Sequence, residues 1–389
     1  MDLICKQERC YGCGLCANLC SVHAISMKED EFTGHFHPII DNRLCIDCKK
    51  CRNQCPANHA PVFHPTIKAY AAWRKDPRQQ IGSSSGGVAA ALYEVALKKG
   101  WTIVGTSMDG VCKVSTRVTE TVDFIEQFKG SKYVQADTRD VFRKISEKVQ
   151  SGARVLFIGT PCQCEAARSA VGKKQDFLLT IDLVCHGVPS QKLLRDYVLW
   201  IEKKKKKKID SISFRSDWGE EMQMFAKGQT IWKRRMYWDY YLELFNSGYI
   251  TNSACFTCPY AGEKRASDLT IGDFWGIGKT VPFDSPKRKV SLIAVNTNKG
   301  ACFLNECMSL SFCEREWAEA VAGNSQLQAP IQKSEQYDLF WDQYNEAGFD
   351  AAVRATVYDK VTKRFLKEYP ILSAKSSIKA ILKKLLIKT

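Results

Sequence analysis

Cys10-Tyr11-Gly12-Cys13-Gly14-Leu15-Cys16-Ala17-Asn18-Leu19-Cys20 opens a pattern that returns as Cys45-Ile46-Asp47-Cys48-Lys49-Lys50-Cys51-Arg52-Asn53-Gln54-Cys55-Pro56. In each run two residues separate the first three thiols, three precede the fourth, and a proline closes the second run. A tight loop of that spacing wraps three corners of one iron–sulfur cube, and a fourth cysteine carried on a short helix reaches across to the other cube. One 4Fe–4S cluster is therefore expected on Cys10, Cys13, Cys16 and Cys55, and another on Cys45, Cys48, Cys51 and Cys20. Gly12 and Gly14 permit the close turns and leave amides aimed at sulfur. Paired C-x2-C motifs also serve zinc ribbons, but the double register argues against zinc.

This is the spacing of a bacterial two-cluster ferredoxin, so residues 1–60 read as a ferredoxin-like domain. Between the runs, Glu31–Asp41 reads as a hairpin in which His35 and His37 are packing or surface residues. Eighteen cysteines in 389 residues are too many for a plain enzyme. Nothing at the start resembles a secretory signal and no apolar run approaches membrane-spanning length. The expected compartment is the cytoplasm, where dense cysteines are metal ligands rather than disulfides. Hydrophobic residues make up 45% and charged residues 25%, so long disordered stretches are not expected.

The formal charge of +15 points to an acidic partner, either an anionic surface or an acidic redox protein. No groove-filling element rich in Arg and Asn accompanies it, so no nucleic-acid partner is expected. The run Lys203–Lys208 reads as a solvated loop.

Residues 61–68 hold two prolines and no period, as in a linker. From there strands and helices alternate. Strands are expected at Ile67–Trp73, Trp101–Thr106, Val155–Ile158, Phe177–Val184, Ile209–Phe214 and Leu269–Gly272. Helices are expected at Gly87–Lys99, Val141–Gln150 and Ser190–Lys203. The fold class is α/β with α+β elements: a ferredoxin-like domain, an α/β domain divided at 69–152 and 153–300, and a mostly helical region at 301–389.

A second set of cysteines lies in that part of the chain. Cys162 follows the strand Val155–Ile158, and Cys185 ends the strand Phe177–Val184, both at strand carboxyl ends where open α/β sheets bind ligands. Cys255 and Cys258 add a C-x2-C pair. These four supply ligands for a third 4Fe–4S cluster, or they are buried reduced cysteines of a core; Cys164 rivals Cys162. Ser83-Ser84-Ser85-Gly86-Gly87 precedes a helix, whose free amides suit a phosphate. Iron–sulfur chains need a device that converts one- to two-electron chemistry, commonly a flavin.

The ordered motifs Ser83–Gly87, Gly130-Ser131-Lys132-Tyr133, Gly159-Thr160-Pro161-Cys162-Gln163, Asp182-Leu183-Val184-Cys185-His186-Gly187, Cys255-x2-Cys258-Pro259-Tyr260 and Asp268-x4-Asp273-Phe274-Trp275-Gly276 resemble the beta-subunit family of coenzyme F-420 hydrogenases and dehydrogenases. The resemblance covers roughly residues 1–300. It implies FAD contacted near Ser83–Gly87 and Ser131–Tyr133, a third cluster at Cys162, Cys185, Cys255 and Cys258, and exchange of electrons with a two-electron partner. In archaeal members that partner is the deazaflavin coenzyme; other relatives reduce chlorophyll-pathway intermediates or accompany exopolysaccharide genes.

The expected function is that of an FAD-dependent iron–sulfur oxidoreductase with an unidentified small-molecule substrate and a redox protein or ferredoxin as partner. Its alternative is a non-catalytic electron-transfer subunit of a larger complex. His186 and Asp273 are the candidates for proton handling. Near the end, Ile378, Ile381, Leu382, Leu385 and Leu386 share a helical stripe flanked by Lys379, Lys383, Lys384 and Lys388. Such a helix suits peripheral attachment to the inner face of a membrane, or docks on the protein's own core.

Overall fold

The computed structural model describes residues 3–369 except 217, 218, 285, 287 and 288; the lysine-flanked stripe from 378 to 388 lies outside the described residues. Near the start, helix α1 (Leu15–Leu19) precedes an antiparallel hairpin of β1 (Ile25–Glu29) and β2 (Phe36–Ile40), with Ile25 opposite Ile40, and then α2 (Lys50–Asn53). The Asp30 carboxylate organises the hairpin turn by accepting from the amides of Phe32, Thr33 and His35. The residue before each helix is left-handed, Gly14 at φ 79° and Lys49 at φ 58°. The glycine is needed for a second reason, since a Cβ there would stand 2.4 Å from Thr138 Oγ1 of the larger domain.

The larger domain begins with β3 (Lys68–Arg74), helix α3 (Val88–Lys98), the hairpin β4 (Thr102–Asp109) and β5 (Lys113–Thr119), α4 (Phe124–Phe128) and α5 (Val141–Gln150). Two strand–helix units follow: β6 (Val155–Gly159) with α6 (Pro161–Val171), and β7 (Leu178–Leu183) with α7 (Gln191–Lys205). A small antiparallel sheet comes next, β8 (Ser211–Ser216), β9 (Gly219–Ala226) and β10 (Gln229–Arg235), then α8 (Tyr240–Asn246). The chain returns to the main sheet with β11 (Leu269–Asp273), β12 (Ser291–Val295), α9 (Asn298–Asn305) and β13 (Leu310–Arg315). It finishes its described course with α10 (Trp317–Gly323), α11 (Glu335–Ala347), α12 (Phe349–Thr356) and helical residues 358–369.

The main sheet has the order β13-β3-β12-β11-β7-β6-β4-β5. Its centre, β4-β6-β7-β11, is parallel, and both flanks are antiparallel. β6 is buried at every position, which is why its sequence, Val-Leu-Phe-Ile-Gly, reads as an unbroken apolar run. Helices cover both faces: α3 and α9 enclose one core with Leu156, Ile181 and Ile293, whereas α5 and α6 enclose another with Phe157 and Leu178. On α5, Val141, Phe142, Ile145 and Val149 form the inward stripe. A third core joins α7, α8, α11 and α12 to the small sheet.

The lysine run differs from its expectation. Lys203, Lys204 and Lys205 complete α7, and Lys206 caps it at φ 51°. Lysine is a good helix former and its charge suits the last turn. The Lys204 ammonium lies 3.4 Å from the Trp200 ring centroid, so part of the run is packed rather than solvated.

Candidate redox site

The parallel strands β6, β7 and β11 end side by side, so the segments following them converge. β6 delivers Gly159 and then Thr160, which forms a capping box with Gln163 and sets Cys162 in the first turn of α6. β7 delivers Cys185 and His186. Cys255 lies in the turn Ser253–Thr257, with Cys258 immediately after it. The four thiols are electrostatic neighbours of one another: Cys255 feels Cys185, Cys258 and Cys162, and Cys162 feels Cys185 and Cys258. Burial pushes the Cys162 thiol up to about 12 and the Cys185 thiol to about 11. Cys164 turns the other way, into the core, where its Sγ donates to the Ile181 carbonyl at 3.5 Å.

In the N-terminal unit, Cys16 feels Cys10, Cys55 and also Cys51, whereas Cys51 feels Cys48 and Cys20. Cys5, which has no place in the spacing, hydrogen-bonds with Cys10 and Cys55 and helps hold the Cys10 thiol down to about 5. His37 also hydrogen-bonds with Cys10. Neither contact has a sequence signal.

The small domain is fastened directly over the second cysteine set. Thr138 Oγ1 donates to the Cys13 carbonyl at 2.7 Å, and the Phe36 amide donates to Gln135 Oε1 at 2.9 Å. Asn18 Nδ2 donates to the Arg139 carbonyl at 2.7 Å, and Arg195 grips Glu29 with both terminal nitrogens, at 2.9 and 2.6 Å. This brings Cys13 within electrostatic range of Cys162. Tyr11 meets Tyr260 edge-on, ring centroids 5.9 Å apart, beside Cys162 and Cys258.

Among the described residues, no His, Cys, Asp and Glu side chains close on a point as a single ion requires; a cube holds its thiolates apart at four corners. Around the second set, Tyr260 Oη, Thr251 Oγ1 and Asn252 Nδ2 are buried without a hydrogen-bond partner among the described residues. Donors of this kind suit the sulfurs of a cluster.

A cavity of about 340 Å³ runs from these cysteines to the start of α3, lined there by Ser83, Ser84, Ser85, Gly87 and Val88 and opposite by Ser131, Lys132 and Tyr133. The first turn of α3 has no side-chain cap, its preceding Gly87 is at φ 82°, and Ser83 Oγ is buried without a partner among the described residues. Free amides, small hydroxyls and a helix N-terminus are what a pyrophosphate uses. Three of the expected contacts are otherwise engaged, the first being Ser85, whose Oγ donates to the Val290 carbonyl at 2.8 Å. Gly86 is turned away, its amide donating to Ser291 Oγ at 2.8 Å. The Lys132 ammonium donates to the carbonyls of Thr106, Gln127, Phe128 and Lys129 at 2.9–3.2 Å. Burial pulls Lys132 down to about 7, whereas four carbonyl oxygens and no donor around it favour the ammonium. Tyr133 stacks on Phe245 with centroids 5.1 Å apart, and its hydroxyl hydrogen-bonds with Ser131 and Glu220.

His186 and Asp273 both line this cavity. His186 lies edge-on to Trp275 at 5.0 Å, and burial pushes its imidazole down to about 4, so it is neutral. Asp273 ends β11 and is ion-paired to Arg215, which also reaches Glu220 at 3.5 Å. Burial opposes the Arg215 charge, but Tyr133, Asp273 and Glu220 outweigh it and hold the guanidinium above its usual value. A second cavity, about 530 Å³, shares Ser84, Ser85, Arg215, Glu220, Asp273 and Trp275 with the first and adds Arg235, Tyr237, Trp238 and Lys289. Arg215 and Glu220 lie on strands too mixed in pattern to reveal them from sequence.

Residues 152–319 match the family described as the C-terminal part of the beta subunit of coenzyme F-420 hydrogenase/dehydrogenase, and residues 9–59 match the 4Fe–4S dicluster domain. An uncharacterized ferredoxin of Methanocaldococcus jannaschii is 33% identical over 58 residues, 15% of this chain and 73% of that protein. A chain of the F-420-reducing NiFe hydrogenase complex of Methanosarcina barkeri superposes with a TM-score of 0.47 at 17% identity, covering 75% of this chain and 91% of the other. No helix among the described residues is long and apolar enough to cross a membrane. Through residues 152–319 the chain carries the domain described as the C-terminal part of the coenzyme F-420 hydrogenase/dehydrogenase beta subunit, behind a 4Fe–4S dicluster domain at residues 9–59.

Proposed function

We propose that this protein is an FAD-dependent iron–sulfur oxidoreductase whose dicluster domain, a third 4Fe–4S cluster and a flavin form one electron relay. The observation that carries the reading is the position of Cys162, Cys185, Cys255 and Cys258. They lie between Tyr11 and Cys13 on one side and the Ser83–Ser85 cavity on the other. The dicluster ligands in this reading are Cys10, Cys13, Cys16 and Cys55, and Cys20, Cys45, Cys48 and Cys51. A bound flavin would supply the interchange between single electrons and a hydride pair.

The chain's own residues hold and shield that chemistry. The amides opening α3 and the hydroxyls of Ser83, Ser84 and Ser131 would take the pyrophosphate. Lys132 clamps the loop opposite, Tyr11 and Tyr260 shield the cysteines on the side of the dicluster domain, and Trp275 covers His186 at the cavity. Neutral His186 and the Asp273–Arg215–Glu220 array face the reacting end, where Arg215 offers fixed positive charge to an electron-rich partner. The second cavity, opening directly beside that array, favours a small-molecule substrate bound by this chain over a purely relaying subunit.

Anaerobic purification with iron, sulfide and flavin analysis tests the reading. About twelve irons and one FAD per chain are expected; eight irons without flavin would reduce the protein to a two-cluster carrier.

A further inference from the structure

Resting on that relay reading, we propose that the edge of the dicluster domain around Cys48 is the docking site of an acidic one-electron carrier protein. Of the cysteines in the three proposed ligand sets, all described, Cys48 alone is exposed. Its neighbours Cys20, Cys45 and Cys51 are partly exposed, whereas the partly exposed Cys162, Cys185, Cys255 and Cys258 face the cavity that runs to α3. Electron transfer falls steeply with distance, so a partner's redox centre must approach where a cluster meets solvent.

The surface there is not ordinary. Ile39, Leu44 and Ile46 are 51%, 52% and 63% exposed within one short stretch of chain. Isolated apolar residues need no explanation, but three flanking one exposed ligand form an apolar centre. Around them Arg43, Lys49, Lys50 and Arg52, all exposed, outnumber Asp41 and Asp47, and Asp41 is itself bound by Arg43 at 2.8 Å. An apolar centre with a charged rim is the anatomy of a protein interface. A small patch suits redox encounters, which bury less than about 1,200 Å². The sign of the rim and the overall charge of +15 select an acidic partner and would speed its encounter. A membrane is a poorer match, because α2, the helix in this patch, has only 4 residues.

The test uses the cluster-loaded full chain, with reduced plant-type 2Fe–2S ferredoxin as the acidic probe and dithionite as the small reductant, followed by stopped-flow absorbance. Between low salt and about 0.5 M salt, where screening is nearly complete, the ferredoxin rate of the unaltered chain should fall about tenfold or more. Arg43→Glu with Lys50→Glu should lose a similar factor at low salt, and Ile46→Ser should slow transfer at every salt concentration. Lys203→Glu with Lys207→Glu, a charge change of equal size on a distant surface, should leave the rate near that of the unaltered chain. Dithionite should reduce all of these chains alike.

A salt-independent rate, an Arg43/Lys50 reversal without effect, or an equal loss from the distant reversal would overturn the docking site. If dithionite no longer bleaches the Arg43/Lys50 variant, its cluster has been lost, and the salt dependence together with Ile46→Ser decides. Failure of dithionite to reduce the unaltered chain would instead count against the relay.

Discussion

Arg265 donates to Asp182 at 3.0 Å with both side chains almost fully buried, 1% and 0% exposed, directly behind the converging cysteines. The same guanidinium donates to the Tyr260 carbonyl at 2.9 Å and to Thr270 Oγ1 at 3.1 Å. It thus ties the loop after Cys258 to β7, the strand that leads to Cys185. Removing one member of such a pair strands a buried charge. Arg265→Met should therefore cost about 3–5 kcal/mol, and adding Asp182→Leu should recover most of the loss. Denaturant unfolding of both variants checks this.

His35 makes the domain junction sensitive to acid. It is buried at 2% exposure, with Nε2 at 2.9 Å from the Val188 carbonyl, and burial pushes its imidazole from 6.5 down to about 4 despite Asp30 nearby. Between those values the unfolded chain binds a proton that the folded chain refuses, so stability falls as pH drops through that window. At pH 5 the loss relative to pH 7 should be about 2 kcal/mol. Thermal unfolding at the two pH values should show it, and His35→Gln should remove this component.

Gly187 stands at φ 96°, where an added Cβ would meet Thr251 Cγ2 at 2.5 Å and approach Cys255 Cβ at 3.5 Å. Gly187→Ala should displace the Cys255 turn and reduce iron content by about four per chain. Gly172→Ala imposes a backbone penalty at φ 59° in open space, so it should destabilise by about 1–3 kcal/mol with iron unchanged. Iron analysis of the two variants separates the effects.

Lys132 organises the loop facing α3. Lys132→Met would leave the carbonyls of Thr106, Gln127, Phe128 and Lys129 without their shared donor. A buried polar group left unsatisfied costs about 1–3 kcal/mol. Flavin content should drop sharply while iron stays at the level of the unaltered chain, which parallel flavin fluorescence and iron assays would read.

Much of this architecture was legible because the motifs are local. The double register announces the dicluster domain at residues 9–59, and the wholly buried β6 and nearly wholly buried β7 read as short apolar runs. α5 was recognised to the residue from its inward stripe. What escaped were elements whose pattern depends on distant partners. β12 and β13 flank β3, which comes from the far end of the same domain; β12 meets β11 only across a long connection and β13 has no partner but β3, so no tight turn announces either. β9 and β10 carry charged residues on an irregular register with a bulge between Thr230 and Trp232. Within the site, Cys162 was distinguishable from Cys164 only through the direction of α6, and Arg215 became visible only once β8 met the end of β11.

The interleaving of β3 between β12 and β13 has a bearing on biogenesis. The cysteines of the dicluster domain span only residues 10–55, so they can come together before the larger domain is complete. The thiols at 162, 185, 255 and 258 meet only across a sheet whose final strand ends at Arg315. In the proposed relay, iron for these thiols would arrive late, through a nearly finished protein, and its supply would be the step most exposed to oxygen and to shortage of assembly factors.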